Sequence, residues 1–339
     1  YIDQLSWIEI VSGIKPKSSE NLKLNKNKIY NMEELFGSTT VDFEKNGSLV
    51  EYIDASEEDS ALIATYEDEI KLNKLFTNIE IHPSLLLGVM GNMIIYPEHN
   101  PYARNAFSCG QSRQAVSMYH TNHQMRIDKM GVVLHYGQTP LVKSRYLKYI
   151  TNEEHPYGSN AIVAIMCYSG YNVEDAVLIN EAALQRGLFR TTYYTTYEAH
   201  EEREIKNDVV MKDIAFGNVS QMDNVQGLRP DYDYSFLNEQ GLIPENTPVD
   251  DRTVLIGESV LVNPNTNERQ DCSKMPKKGQ LGMVDKSFMT EGEAGQRIAK
   301  IRIREERIPT FGDKFASRAG QKGTVGMVIP EANMPFTKS

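Results

Sequence analysis

Two apolar runs in the middle of the chain predict neighbouring strands. Residues 161–168 are continuously apolar, and their length and β-branched side chains predict a strand buried on both faces. Residues 169–172 then read as a turn, and a second apolar run follows at 176–179. Between the turn and the second run stand Glu174 and Asp175. Carboxylates this close to a core need a partner, a metal or a catalytic reason, unless they are two solvated acids on a surface turn.

A third strand is predicted from an alternating pattern at 299–304. Ile301 and Ile303 are expected to face a core, while the other face carries cations, namely Lys300, Arg302 and Arg304.

Earlier in the chain, residues 22–28 are rich in lysine and asparagine and read as a surface loop. The acidic patch at 57–59 suits the start of a helix, with a metal role as the alternative.

The most informative stretch is 312–323, which combines tight turns with positive charge. Its three glycines and three cations are Gly312, Gly320 and Gly323 with Lys314, Arg318 and Lys322. Glycine lets a backbone approach a ligand closely, and lysine supplies a mobile charge for phosphate oxygens. The loop therefore predicts a site for a polyphosphate or a nucleic-acid backbone, the alternative being a solvated basic turn. It is no Walker A motif, because Gly323 follows Lys322 where that motif needs serine or threonine.

Composition narrows the class of protein. The 339 residues are 40% hydrophobic and 24% charged, which fits a globular protein of two or three domains. No apolar stretch approaches the roughly 20 residues that span a bilayer. A net charge of −10 makes the clustered cations stand out as a phosphate-binding feature.

Other candidate chemistry is weak. The three cysteines form no Cys-x-x-Cys pair, so neither a disulfide framework nor a zinc site is predicted, and an intracellular location is expected. Asp231 and Asp233 have the spacing of a metal site but lack a third aspartate beside them. Because the chain begins at Tyr1 and stops soon after its richest motif, we expect a piece of a longer polypeptide.

Several segments, in a fixed order, resemble one family. They are Glu51–Ala55, His82–Ser84, Asn100–Asn105 with Gln114–Ala115, Thr121–Asp128, Gly158–Asp175 with its Gly-Tyr-Asn-x-Glu-Asp motif, Arg186–Phe189, and Ile308–Pro335 with the lysine loop. In these segments the chain resembles the central part of the second-largest (β-type) subunit of multisubunit DNA-directed RNA polymerase, in its eukaryotic, archaeal or large-DNA-virus form.

The resemblance implies an α+β, mainly β fold. Its core would be a double-psi β-barrel that binds the RNA–DNA hybrid, with an inserted flap or wall domain and part of an external domain. The implied boundaries are 1–75 for the external portion, 76–190 for the first hybrid-binding part, 191–307 for the flap or wall, and 308–339 for the second hybrid-binding part.

The resemblance also implies roles for the site residues. Lys314, Lys322 and Arg104 would contact the RNA 3′ end and the nucleotide phosphates as catalytic groups. Glu174 and Asp175 would lie near the second Mg²⁺, directly or through water. Nucleic-acid or nucleotide contacts are implied for a further set, comprising Gln114, Arg113, Arg318, Gly320 and Gly323.

Two departures from the family pattern stand in this sequence. Ala319 replaces a histidine, which removes a ring that could donate to phosphate or pack the turn, and Arg113 stands where lysine is common. The dense aspartate cluster for the first Mg²⁺ is absent, and the resemblance assigns it to the largest subunit; no zinc is expected in this segment.

The implied function is template-dependent RNA synthesis, with this polypeptide inert alone. Its implied partners are the largest (β′-type) subunit, other polymerase subunits, template DNA, the hybrid and nucleoside triphosphates, in a nucleus or a cytoplasmic viral factory and not at a membrane. The alternative is a non-catalytic scaffold that binds nucleic acid. A nucleotide-hydrolysing enzyme is a poorer third reading, because the Walker motif is missing.

Overall fold

A computed structural model describes residues 53–338, except 74, 81, 150, 207 and 208. The chain divides into two compact units, Tyr1–Met93 and Ile94–Ser339. The predicted loop at 22–28 and most of the segment 1–75 lie outside the described residues.

In the first unit, the acidic patch lies in a helix, as the sequence predicts. Helix α1 (Ala55–Ser60) starts at Asp54, whose carboxylate accepts a hydrogen bond from the Glu57 N–H at 2.7 Å. Glu57 and Glu58 lie in the first turn, where negative charge is favourable. The other elements of this unit are β1 (Ile63–Ala64), α2 (Glu67–Leu72), β2 (Asn78–Ile79) and α3 (Gly88–Gly91), and β1 pairs in parallel with β2.

The second unit consists mainly of strands. Its helices are α4 (Tyr102–Ser112) and α5 (Glu181–Gln185). Its strands are β3 (Met130–Leu134), β4 (Ala176–Asn180), β5 (Thr191–His200), β6 (Glu202–Lys206), β7 (Val209–Phe216), β8 (Val225–Gln226), β9 (Pro248–Val249), β10 (Glu258–Asn263), β11 (Glu268–Asp271), β12 (Gly282–Glu291), β13 (Arg297–Arg307), β14 (Lys314–Ala316) and β15 (Lys322–Ile329).

These strands form three sheets, ordered β3-β5-β13-β12-β9, β6-β7-β10-β11-β8 and β14-β15-β4. The expectation of a mainly β fold with some helix is confirmed. Each sheet has two edge strands, so the strands in the described part of the chain do not close a barrel.

Strand β13 carries the main core of the second unit. Ala299, Ile301 and Ile303 are each 0% exposed and pack with residues from β5, β7, β12 and the turns at 242–256. The predicted strand and its apolar face are therefore confirmed. Burial of three aliphatic side chains in one row stabilises the sheet by roughly 1.5–3 kcal/mol for each of the larger residues.

The opposite face of β13 carries the three predicted cations, but each is paired with an acid. Lys300 Nζ lies 3.0 Å from Glu198, and Arg304 Nη1 lies 3.0 Å from Asp285. Arg302 is only 4% exposed and contacts the same Asp285. Its guanidinium also donates to the carbonyl oxygens of Gln124 and Arg126. These three cations are therefore held in ion pairs within the sheet, whereas the sequence pattern places them among the clustered charges of a phosphate-binding feature.

The predicted strand at 161–168 is also wrong. These residues form no strand, and Ile162, Val163 and Ile165 are among the most exposed apolar side chains, at 104%, 75% and 98%. An apolar run becomes a buried strand only where a sheet lies beside it, and the described residues place none beside 161–168. The second run is confirmed as β4, which pairs in parallel with β15.

The sheet β14-β15-β4 has its own small core. Ile179, Leu184 and Val325 are buried there, with Phe315 and Val328 packed against them. The Phe189 and Phe315 rings lie 4.6 Å apart between centroids. This core fixes the hairpin formed by β14 and β15 against the segment that follows Asp175.

Candidate functional site

The hairpin of β14 and β15 presents both loop lysines on one face. Lys314 pairs with Thr324, and Ala316 pairs with Lys322. Directly opposed residues point to the same side of an antiparallel pair, as do residues two apart on one strand. Lys314 and Lys322 are therefore diagonal neighbours on one face, with backbone positions roughly 7–8 Å apart. Both side chains are exposed, whereas Phe315 turns towards the small core on the other face.

The turn of the hairpin is closed by its own backbone. The Ser317 N–H donates to the Gln321 carbonyl oxygen at 3.1 Å, and the Gly320 N–H donates to Ser317 at 3.3 Å. Gly320 has φ +84°, a conformation that side-chain-bearing residues rarely adopt. Ala319, which stands where the family has histidine, is exposed. The turn is therefore held without a ring at that position.

Helix α4 packs directly against this turn. A Cβ built at Gly320 would lie 2.6 Å from the carbonyl oxygen of Arg104, so only glycine allows this approach. Arg104 Nη1 donates to the Gly320 carbonyl oxygen at 3.2 Å. Ser108, one turn further along α4 and 2% exposed, donates to the carbonyl oxygen of Arg318. Gly320, which was predicted as a ligand contact, thus sets the distance between helix and turn.

The same helical face places an aromatic ring at Lys322. Arg104, Phe107 and Ser108 share that face because residues three and four apart are neighbours on a helix. The Lys322 ammonium lies 5.0 Å from the centroid of the Phe107 ring. An ammonium over a ring face is attracted by the ring quadrupole. Phe107 therefore restricts where Lys322 can point.

The acidic segment reaches the turn from the other side. The Thr324 N–H donates to the Asp175 carbonyl oxygen at 2.9 Å, where β4 starts alongside β15. Gln321 Nε2 donates to Asp175 Oδ1 at 3.0 Å. A Cβ at Gly323 would lie 3.1 Å from the same Asp175 carbonyl oxygen. Gly323 thus allows the acidic segment to approach the hairpin closely.

Glu174 precedes Asp175 in a left-handed conformation, with φ +59°. Its side chain is exposed, as is that of Asp175. The loop before it is tied by Asn172, which accepts from the Tyr168 N–H at 3.2 Å and donates to the Met166 carbonyl oxygen at 2.7 Å. Strained backbone of this kind is kept where the surroundings fix it.

Arg318 is more restricted than the sequence predicted. Its guanidinium donates to the carbonyl oxygen of Val142, and its charge lies near the phenol of Tyr157. Burial raises the pKa of the Tyr157 phenol, and the Arg318 charge opposes that rise. Arg318 therefore anchors the turn to the segments at 142 and 157.

Arg113 and Gln114 lie at the other end of α4. Both are exposed, roughly 13–15 Å along the helix axis from Arg104. The structure thus brings together Arg104, Gly320, Lys322, Gly323 and Asp175, with Lys314 on the same face and Glu174 next in the chain. Arg113 and Gln114 stand apart from this group.

Sequence reasoning missed three residues of the site, namely Phe107, Ser108 and Gln321. The helical spacing from Arg104 could have indicated Phe107 and Ser108. Gln321 lies inside the predicted loop, but its partner Asp175 is 146 positions away, and no pattern in the sequence connects the two.

The described residues hold no group of three or more His, Cys, Asp or Glu side chains placed to bind a metal ion. Glu174 and Asp175 nevertheless supply exposed carboxylate oxygens, and one of these, Asp175 Oδ1, is bound by an amide. Mg²⁺ is commonly held by one or two carboxylates together with substrate phosphates and water. These residues fit that kind of shared site. Among the described residues no helix is long and apolar enough to cross a membrane.

The second unit thus combines a mainly β fold with a basic hairpin, a helix docked on its turn and an adjacent acidic segment. The sequence model described as RNA polymerase Rpb2, domain 6, matches residues 90–339. The chain therefore belongs to the Rpb2 family of second-largest RNA polymerase subunits.

Curated relatives agree with this assignment. The chain is 37% identical to DNA-directed RNA polymerase II subunit 2 of Arabidopsis thaliana over 304 residues, 85% of this chain and 25% of the relative. It is 33% identical over 341 residues to DNA-directed RNA polymerase II subunit RPB2 of Schizosaccharomyces pombe, which is 90% of this chain and 27% of the relative. It is 35% identical over 313 residues to subunit Rpo2 of Saccharolobus solfataricus, covering 89% and 27%. The chain thus spans about a quarter of the length of these relatives.

Proposed function

We propose that this chain supplies the nucleotide- and RNA-contacting surface of a DNA-directed RNA polymerase. The observation that supports this most is the convergence of three distant segments at the turn 317–322. Helix α4 brings Arg104, the hairpin brings Lys314 and Lys322, and the acidic turn brings Asp175. The incoming nucleoside triphosphate would lie over this surface.

The cations act on the charge that develops during nucleotidyl transfer. Lys314, Lys322 and Arg104 would face the phosphoryl oxygens and the RNA 3′ end. Cations fixed in position before the reaction stabilise that charge without reorganising. Arg104 is held by Gly320, and Lys322 is held over Phe107. Both groups are therefore positioned before substrate arrives.

The acids Glu174 and Asp175 would help to hold the Mg²⁺ that accompanies the triphosphate. When bound, such an ion neutralises the triphosphate and the leaving pyrophosphate. The family resemblance assigns the primary Mg²⁺ site to the largest subunit, and the described residues form no larger carboxylate cluster of their own. The chain alone would be inactive.

The protein would bind nucleic acid through contacts with its phosphates, which gives affinity without sequence preference. Arg113 and Gln114, exposed at the end of α4, would reach the RNA away from the reacting nucleotide. The partners would be the largest subunit, other polymerase subunits, template DNA and the RNA–DNA hybrid. The enzyme would work inside the cell, in a nucleus or a cytoplasmic viral factory.

We also propose that the small sheet is part of a double-psi β-barrel. The exposed apolar side chains at 162–166 support this, because a contiguous exposed apolar patch marks a surface that another part of the assembly covers. In the full-length subunit, strands outside this sequence would cover this run and complete the barrel. The segments 191–307 and 1–75 would then be the flap or wall domain and part of the external domain.

Nucleotide addition by an assembled polymerase tests the proposal. The full-length parent carrying Lys314→Ala, Lys322→Ala or both is co-expressed with its largest-subunit partner, and primer extension and hybrid binding are measured. Lys278→Ala, at an exposed position in another turn, is the matched control. Lost extension with retained hybrid binding supports a catalytic surface. Unchanged extension contradicts the proposal and leaves a nucleic-acid-binding scaffold.

A further inference from the structure

The carboxylate of Asp175 is exposed but is not free to turn. Its backbone is fixed by the Thr324 N–H, and its Oδ1 accepts from Gln321 Nε2 at 3.0 Å. The backbone of Gln321 is fixed in turn, because its carbonyl oxygen accepts from the Ser317 N–H at 3.1 Å. One carboxylate oxygen is thus directed towards the turn.

The donor at this position is a neutral amide, which distinguishes Asp175 from the ion-paired acids Asp285 and Glu201. Asp285 is paired with Arg302 and Arg304, and Glu201 is paired with Arg297 at 2.5 Å. A guanidinium neutralises the carboxylate that it holds, whereas an amide orients it and leaves its full negative charge. A carboxylate that is oriented but not neutralised is suited to bind a cation through its other oxygen.

Gln321 also connects the acid to the lysines. It immediately precedes Lys322, the first residue of β15, so one short segment carries both the amide that holds Asp175 and the ammonium over Phe107. The hydrogen bond therefore fixes the acid relative to the cationic face of the hairpin.

We propose that Gln321 is a positioning residue, which holds Asp175 Oδ1 so that Oδ2 is presented to the divalent cation of an incoming nucleoside triphosphate. This inference rests on the proposed function of the hairpin. Gln321 touches neither cation nor nucleotide and acts only through Asp175.

The test measures equilibrium binding of a non-hydrolysable nucleoside triphosphate to elongation complexes that contain the full-length parent, across a Mg²⁺ titration. Gln321→Leu removes the amide, and we expect it to raise the Mg²⁺ concentration for half-maximal binding roughly 3- to 10-fold, the range for the loss of one ordinary hydrogen bond. Gln321→Arg keeps a donor but adds a charge that neutralises the acid. It should also raise that concentration, whereas a merely structural role would leave it unchanged. The side chain is exposed, so neither variant should change the melting temperature or hybrid binding.

Asp175→Asn and the lysine variants separate the possible failures. If Asp175→Asn raises the Mg²⁺ requirement and adding Gln321→Leu raises it no further, the two residues act as one unit and the inference stands. If Asp175→Asn shifts the requirement while both Gln321 variants match wild type, the inference is overturned and the proposed function stands. If Asp175→Asn is also silent while the lysine variants lose extension, Asp175 has no such role and the inference is overturned. If the lysine variants extend normally, the proposed function itself fails and the inference fails with it.

Discussion

The ammonium of Lys322 lies over the ring of Phe107, 5.0 Å from its centroid. The two residues come from segments more than 200 positions apart, a helix and a hairpin. The ring is half exposed, so the pair lies at the surface where a ligand can reach the ammonium. This contact links the docking of α4 to the chemistry proposed for the hairpin.

Phe107→Leu tests that link. Leucine keeps the packing volume but removes the ring quadrupole, which at an exposed site contributes about 0.5–1 kcal/mol. We expect single-nucleotide addition by the assembled polymerase to slow roughly 2- to 5-fold. Phe107→Tyr keeps a ring and should match wild type. A leucine variant as fast as the tyrosine variant would show that the ring does not position Lys322.

Gly320→Ala should destabilise the protein more than Gly312→Ala. Both glycines have positive φ, +84° and +85°, so alanine costs roughly 1–2 kcal/mol of backbone strain at either position. Only at Gly320 would the new Cβ also meet the Arg104 backbone, whereas nothing lies within 4 Å of a Cβ at Gly312. Denaturant unfolding of the two variants measures the difference. If both variants lose the same free energy of unfolding, α4 can shift away from the new Cβ at Gly320 without destabilising the protein.

Arg302→Met should be among the most destabilising substitutions in β13. It removes the buried guanidinium from two carbonyl oxygens and leaves Asp285 with Arg304 alone, and each buried polar group left unsatisfied costs about 1–3 kcal/mol. Arg186→Met is the control, since Arg186 is 3.5 Å from Glu331 with both side chains largely exposed. That pair should contribute about 0–1 kcal/mol. Similar unfolding free energies for the two variants would contradict a structural role for Arg302.

The contribution of Glu258 to the free energy of unfolding should decrease as the pH rises. This side chain is 3% exposed, and burial raises the pKa of its carboxyl group, opposed by Lys274 at 3.7 Å. The folded state thus binds the proton more tightly than the unfolded state, whose pKa is about 4.3. The contribution of Glu258 is fully present below that unfolded pKa and is lost as pH rises through the higher folded pKa.

Glu258→Gln removes this titration. Relative to wild type, the variant should gain stability as pH rises above about 4.3. Urea unfolding of both proteins across this pH range checks the sign. A constant difference between the two proteins would show that Glu258 does not titrate differently on folding.

Local patterns predicted the elements that each pattern encodes by itself. The alternation at 299–304 gave β13 and its buried Ile301 and Ile303, and the acids at 57–59 gave the start of α1. These local patterns could not show that Asp285, on the neighbouring strand, neutralises Arg302 and Arg304. The sequence of one strand does not indicate which other strand it pairs with. For the same reason the apolar run at 161–168 predicts a buried strand, although these residues form none.

The sequence indicated which types of residue form the site, but it did not indicate how those residues are arranged in the folded chain. Glycines and lysines at 312–323 indicated phosphate chemistry, and the family resemblance indicated Arg104 and Asp175. Two of the glycines serve close packing, of α4 at Gly320 and of the acidic segment at Gly323. The contacts of Gln321 and Phe107 depend on segments that meet only in the folded chain.

The central claim is that one triphosphate lies over the cationic face of the hairpin, and affinity labelling measures this most directly. A nucleoside triphosphate analogue with an aldehyde on its γ-phosphate is bound to the assembled polymerase, reduced with borohydride and mapped by mass spectrometry of the peptides. We predict label on Lys314 or Lys322 that excess nucleoside triphosphate suppresses. Label on Lys278 or other distant lysines, with Lys314 and Lys322 unmodified, would contradict the account.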